Sequence, residues 1–231
     1  MNELWQGLIK ALELIITLDP EVMQIAGRSL FLAVASCAIA ALICLPLGSI
    51  IHFNSFPGKR SIINLTQTLY SVPTVAIGLF VFVFISRAGP LGSLGILFTP
   101  IAIIIGQVIL ILPIITGLTI SALSGVDRAL IETASSLGAS RFQGIMLVIR
   151  EARFAILAAL IMGFGRAVSE VGISLMVGGN IRGFTRTITT AISLETSKGE
   201  IELSIALGII LIFLALVVNI VLNRIQHRKE Q

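Results

Sequence analysis

Charge is what this sequence has least of. Asp, Glu, Lys and Arg make up 12% of its 231 residues, about half of the roughly 25% found in an average soluble domain. The chain is 56% hydrophobic and its mean hydropathy is +1.03. That scarcity excludes an ordinary soluble domain and leaves an integral membrane protein with little mass outside the bilayer. Also absent is any G-x-x-x-x-G-K-[ST] sequence, so this chain carries no P-loop of its own for a nucleotide. Histidine is confined to His52 and His227, and no Cys/His/Asp grouping has metal-ligand spacing. With no H-E-x-x-H or S-x-x-K motif either, nothing suggests an intramembrane enzyme. The two cysteines, Cys37 and Cys44, share one apolar run. Seven residues apart on a helix they stand about 10 Å from one another, too far to bridge, and they read as packing residues. The net charge of +4 comes without a basic stripe or stacking platform, which excludes nucleic acid as a partner.

What the sequence does have is apolar runs. A spanning helix needs roughly 20 apolar residues, and five stretches qualify: 29–51, 65–85, 97–123, 154–177 and 203–222. They are too long and too uniformly apolar for barrel strands, which predicts an all-α integral membrane fold of five transmembrane helices. Pro46, Pro73 and Pro113 fall inside three of the runs and read as packing kinks. Residues 1–27 form a separate segment. Leu4, Leu8, Ala11, Leu12 and Ile15 recur at helical spacing beside Trp5, which predicts a short N-terminal helix lying on the membrane surface. This segment lacks the basic start, unbroken apolar core and small-residue cleavage site of a signal peptide. Asp19-Pro20 then breaks the chain. Residues 28–223 make up the membrane domain, and 224–231 a basic tail that contacts lipid headgroups.

Five spans put the termini on opposite sides. Lys59, Arg60, Arg128, Arg141, Arg150, Arg153, Arg224, Arg228 and Lys229 would share one face, against Lys10, Arg28, Arg87, Arg182, Arg186 and Lys198 on the other. The excess of positive charge assigns the first face to the cytoplasm, with the N-terminus outside and the C-terminus inside.

Three polar constellations interrupt the apolar pattern. The first, Glu132-Thr-Ala-Ser-Ser-Leu-Gly-Ala-Ser-Arg141, lies in the connection 125–152. Asp127 is available as an N-cap, Ala129 to Leu137 can be helical, and Gly138 breaks the helix before Ala139 to Phe142 begin another. Glu132 is expected near the helix start, where a carboxylate suits the dipole. Such a rigid polar knob has its place in water or against a soluble partner. The second constellation is Arg166-Ala-Val-Ser169-Glu170-Val-Gly172 in the fourth span. Ionisable residues inside a membrane are costly and usually functional. Arg166 and Glu170, at i,i+4, can pair, either to clamp helices or to line a path. The third, Gly178-Gly-Asn180-Ile-Arg182-Gly-Phe-Thr185-Arg186-Thr187, is rich in Gly, hydroxyls and Arg, groups that suit a tetrahedral oxyanion.

Glu132, Ala134 and Gly138, with six positions from Glu to Gly, resemble the E-A-A…G coupling loop of ABC-importer permeases, and Ala139, Ser140 and Arg141 continue it. Where that family typically carries Ile-x-Leu-Pro further on, this chain has Val148-Ile149-Arg150-Glu151. The stretch from Arg166 through Glu170 to Gly172, then Met176-Val-Gly178-Gly-Asn180-Ile-Arg182-Gly, resembles the RA-x-x-E-x-G…M-x-x-GN-x-x-G pattern of molybdate, tungstate and sulfate permeases. The continuation from Thr189 to Gly199 is most similar to the tungstate branch.

The resemblance implies a type I ABC importer permease core in the cytoplasmic membrane. It implies two copies of this chain as a homodimer, two ABC ATPase subunits carrying ATP and Mg, and an extracytoplasmic oxyanion-binding protein. It implies coupling through Glu132, Ala134, Gly138, Ala139, Ser140 and Arg141. It implies a translocation path or gate at Arg166, Ser169, Glu170, Gly178, Asn180, Arg182, Thr185 and Thr187. No cofactor and no catalytic residue are expected on this chain.

Overall fold

Helices account for all the regular structure of the computed structural model, which describes residues 2–227. In chain order they are α1 (Asn2–Ile16), α2 (Pro20–Phe53), α3 (Lys59–Thr68), α4 (Thr74–Ile85), α5 (Pro100–Ser124), α6 (Arg128–Ser136), α7 (Arg141–Glu151), α8 (Arg153–Val168), α9 (Gly172–Gly178), α10 (Ile188–Lys198) and α11 (Ile201–His227). Three of them, α2, α5 and α11, are long and apolar enough to cross a membrane unbroken. Two bent pairs, α3 with α4 and α8 with α9, bring the possible spans to five.

Local chemistry sets the ends. Asp19 Oδ1 accepts from the backbone N–H groups of Glu21 and Val22 at 3.1 and 3.0 Å, and Pro20 stands at the first helical position. The helix that starts there runs 34 residues, about 50 Å, well past the ~30 Å hydrocarbon core. The expected division at 27/28 therefore falls inside α2. Asp19-Pro20 does interrupt the chain, but as a cap and first-turn proline that start a helix. Likewise Thr99 caps α5 with Pro100 behind it, three residues later than the expected span start at 97.

The proline reading is corrected at one of its three positions. Pro46 and Pro113 lie inside continuous helices. Pro73 instead stands in the break between two helices, as the extended residue just before α4, and the chain bends by 99° between α3 and α4. Residues 69–71 tighten into a 3₁₀ turn, Val72 is extended, and α4 restarts. The residue before a proline resists the helical region, and Tyr70 is wedged against Gly117 of α5, where no side chain would fit. The fourth expected span, 154–177, also divides. It bends by 57° between α8 and α9, around Ser169, Glu170 and Val171.

The core is built by α2, α5 and α8, with α4 and α9 packed on it. Leu32, Ile103, Ile111, Ile115, Ile173 and Val177 are buried there. Close approach relies on small residues: a Cβ on Gly163 would lie 2.6 Å from Ile115 Cδ1, and one on Gly178 2.6 Å from Ile103 Cδ1, as in membrane bundles generally. A polar chain crosses this core. Ser36 Oγ of α2 donates to Gln107 Oε1 of α5 at 2.8 Å, and Gln107 Nε2 donates to the Ala167 carbonyl of α8 at 3.1 Å. Replacing Gln107 by alanine is expected to cost about 1–2 kcal/mol, read as a lower unfolding midpoint in detergent. An unchanged midpoint would remove this chain from the forces that fix the three helices.

A second cluster joins α1 to the first half of α11 through Ala11, Leu14, Ala206, Leu207 and Ile210. The face of α1 that packs is Gly7, Ala11 and Leu14, whereas Leu4 and Leu12 of the expected stripe are exposed, with Trp5, Ile9 and Ile16. Residues 224–227 of the expected tail lie in α11, and 228–231 lie outside the described residues.

Candidate functional site

The knob forms as α6, a four-residue turn and α7. Asp127 Oδ1 accepts from Ala129 N–H at 2.9 Å. Ser140 and Gln143 make a reciprocal capping box that starts α7. Gly138 takes φ +85° at the end of α6. Around it Ala139 N–H donates to Ala134 C=O and Gly138 N–H to Ser135 C=O, both at 3.0 Å, the hydrogen-bond closure of a left-handed helix end. The root of the knob is anchored by Leu123, Val148 and Ala152. Arg141 reaches back to Asn54 Oδ1, at the end of α2, at 3.4 Å.

All six residues expected to couple lie together on this surface element: Glu132, Gly138, Ser140 and Arg141 are exposed, Ala134 and Ala139 half-buried. Glu132 sits in the second turn of α6, so the first turn carries no acid and the expected dipole contact is not made. Sequence reading passed over the tip. Leu137 is 84% and Phe142 68% exposed, with Met146 beside them. Large apolar side chains set in a polar segment mark a contact surface, and their signal was present in the sequence.

The second constellation sits where α8 breaks into α9. Arg166 Nη1 is 3.3 Å from Glu170 Oε2. The Glu170 side chain is 2% exposed and that of Arg166 36%. The carboxylate does more than pair: its Oε1 accepts from Ile173 N–H at 2.9 Å, inside the first turn of α9. Glu170 thus supplies the cap that lets the helix restart. Ser169 turns back, donating to the Gly165 carbonyl at 2.9 Å. The two helix breaks meet here, since a Cβ on Gly172 would lie 3.2 Å from Thr74 Oγ1 and 3.4 Å from Glu170 Oε1.

The third constellation joins the second through α10, where Thr189 Oγ1 donates to the Glu170 carbonyl at 2.8 Å. Its polar groups are engaged in building the loop. Thr185 Oγ1 donates to the Gly178 carbonyl at 2.5 Å and accepts from Ile181 N–H at 2.9 Å. Asn180, at φ +50°, donates to the Thr190 carbonyl at 3.3 Å. Thr187 caps α10, and Gly178 ends α9. Arg182 grips Glu21 of α2 through Nε at 2.8 Å and through Nη2, and Arg28 of α2 donates to the carbonyls of Gly183 and Arg186 at 2.8 and 3.1 Å. Glu21 raises the already high pKa of Arg182 further. Neither Glu21 nor Arg28 belonged to the expected site. Read as flanks of a span, they are instead one side of the clasp that holds the loop.

The chain is thus a polytopic all-α membrane protein with broken spans, a part-buried ion pair at one break and a rigid polar knob. The family model "Binding-protein-dependent transport system inner membrane component" matches residues 44–231, and the chain belongs to that family. Among curated relatives, the tungstate uptake system permease protein TupB of Peptoclostridium acidaminophilum is 38% identical over 98% of this chain and 100% of the relative. TupB of Campylobacter jejuni is 39% identical over 98% and 95%. A probable anion ABC transporter permease protein of Haloferax volcanii is 42% identical over 89% and 91%. Solved structures agree on the fold, a type I ABC importer permease core. A chain of the MetNI methionine ABC transporter superimposes with a TM-score of 0.71 at 16% identity, covering 90% of this chain and 95% of the other. A chain of a bacterial alginate ABC transporter gives 0.73 at 19%, covering 93% and 82%.

Proposed function

We propose that this chain is the translocation subunit of an ATP-driven importer for a tetrahedral oxyanion, and that the oxyanion is tungstate. The observation that carries the reading is the near full-length likeness to two permeases named for tungstate uptake. The knob supports the coupling half of it, because its capped helices are rigid and its tip is apolar and exposed. In this reading it seats on one of two ATPase subunits, which carry ATP and Mg, and the knob and C-terminus face the cytoplasm with the N-terminus outside. An extracytoplasmic binding protein delivers the anion. Arg166 supports a second copy of the chain. A guanidinium left 36% exposed inside a lipid-facing span costs about 2.5–3.5 kcal/mol or more, a cost avoided where that face borders a partner subunit and a wet path. Arg166, Ser169, Glu170, Gly178, Asn180, Arg182, Thr185 and Thr187 then border the path, with the hydroxyls shaping the loop.

A relative from Thermococcus kodakarensis named for molybdate and tungstate, 27% identical over 92% of this chain, supports a wider substrate range. Uptake by a strain lacking this gene separates the two. High-affinity tungstate uptake is expected to vanish, and in the parent strain an equal amount of molybdate is expected to compete weakly. Intact tungstate uptake with loss of molybdate, sulfate or phosphate uptake would replace the substrate. No uptake defect for any of the four anions would remove the importer reading.

A further inference from the structure

Away from the knob and the Arg166–Glu170 break lies a cavity of about 430 Å³ between α1, α2, α10 and α11. Its rim and its floor differ in chemistry. Lys10, Arg182, Arg186 and Lys198 stand on the rim with Asp19, Glu21 and Glu195. Leu14, Val22, Ile25 and Leu207, all buried, form the floor. We infer that this cavity is a phospholipid site, the rim holding the headgroup phosphate and the floor the start of an acyl chain.

Four cations face three acids along the lining, and Lys10 takes a fourth acid, Glu13, from outside it, so what the rim has to spare is N–H donors rather than net charge. Asp19 is spent on capping α2 through Oδ1. Glu21 serves two guanidiniums at once, bonded to Arg182 and 3.7 Å from Arg186 Nη1. Arg186 is the less satisfied of the two: its side chain is only 14% exposed, and its Nε is buried with no hydrogen-bond partner. The enclosed Nε cannot itself be reached, but the part of the guanidinium that remains exposed offers a fork that suits a phosphate oxygen. Lys198 pairs with Glu195 at 3.0 Å, and Lys10 turns to Glu13, which leaves ammonium donors over at the rim.

The floor selects an amphiphile over a free ion. A small oxyanion gains nothing from four buried aliphatic side chains, whereas an acyl chain gains about 0.8 kcal/mol per buried CH₂. The setting agrees. Trp5, Ile9, Leu12 and Ile16 on the outer face of α1 are exposed, so the helix that walls the cavity presents its other side to the bilayer.

The test uses the full chain, purified in mild detergent and offered phosphatidylglycerol or diacylglycerol with matched acyl chains, followed by native mass spectrometry. One phosphatidylglycerol is expected to stay bound under activation that strips the others, and diacylglycerol is not. The double variant Lys10→Gln, Lys198→Gln alters two half-exposed side chains, and its melting point is measured alongside because Lys198 is the partner of the buried Glu195. This variant is expected to weaken retention about tenfold, the effect of one or two charge-assisted bonds. Arg186→Gln is expected to weaken it at least as much. Equal retention by the double variant would overturn the site, as would tight binding of diacylglycerol. Displacement of the lipid by inorganic phosphate or tungstate would overturn the lipid and make the cavity a free-anion site.

Discussion

Valine in place of Gly138 is expected to reduce uptake at least tenfold while the protein still inserts and assembles. Gly138 holds φ +85°, and a Cβ there would meet nothing within 4 Å. The substitution is therefore not blocked by packing; it fails on backbone conformation. The left-handed region costs an ordinary L-residue about 1–2 kcal/mol and a β-branched one more. A capped four-residue turn has little else to hold it, so the strain is relieved by opening the two hydrogen bonds from Gly138 and Ala139. The axis of α6 then no longer has a fixed direction relative to α7, and the exposed Leu137 and Phe142 lose their common presentation. ATP hydrolysis by the reconstituted transporter would continue without driving transport. Asparagine separates the two possible reasons for glycine. It tolerates the left-handed region, so Gly138→Asn is expected to retain most uptake if conformation is what matters. If a partner surface needs the missing side chain, asparagine will fail as valine does. Normal uptake by the valine variant would remove the coupling role.

The knob was legible because its determinants are local. Asp127 and Gly138, the two that were read, and Ser140 with Gln143, which were not, each act within four residues of their own position, and caps are read from short sequence. The breaks in the spans were not. Three prolines fell in apolar runs, and sequence alone treats them alike. What distinguishes Pro73 is Tyr70 lodged against Gly117, 47 positions away, together with the 3₁₀ turn that precedes it. The break at Ser169 to Val171 had a visible signal in Arg166 and Glu170, but the i,i+4 rule presumes an unbroken helix. The pair forms at that spacing, at 3.3 Å, while the same carboxylate caps the next helix, a second role that spacing does not reveal. The oxyanion-like composition of 178–187 was legible too, and its hydroxyls turned out to be engaged within the loop. Small polar side chains that could donate to an anion also close turns, and only the bonds that Thr185 makes to Gly178 and Ile181 and Thr187 makes to Thr190 N–H show which they do here.

Removing Arg166 is expected to be the most damaging single change in the membrane core, and its double variant decides what the pair is for. With Arg166→Ala, the Glu170 carboxylate, 2% exposed, keeps its bond from Ile173 N–H but loses its counter-charge. Breaking a buried pair on one side costs about 3–5 kcal/mol, and the partial exposure of Arg166 places this case near the lower end. That is a large part of the ~5–15 kcal/mol that holds a typical domain together. The variant is expected to show poor assembly and a sharply lower melting point. Arg166→Met with Glu170→Gln removes both charges. Methionine keeps the length of the side chain, and the glutamine amide oxygen can still accept from Ile173 N–H and start α9. Assembly is expected to recover in the double variant. Uptake separates the two roles. If the pair only clamps α8 to α9, uptake returns with assembly. If the exposed guanidinium borders the anion path, uptake stays at least tenfold down in a correctly assembled protein, because a neutral methionine gives a passing oxyanion no positive potential. The second outcome is expected from the exposure: a clamp has no need to keep its cation 36% open while its anion is closed off, whereas a path residue must meet both the protein and the ion that moves past it.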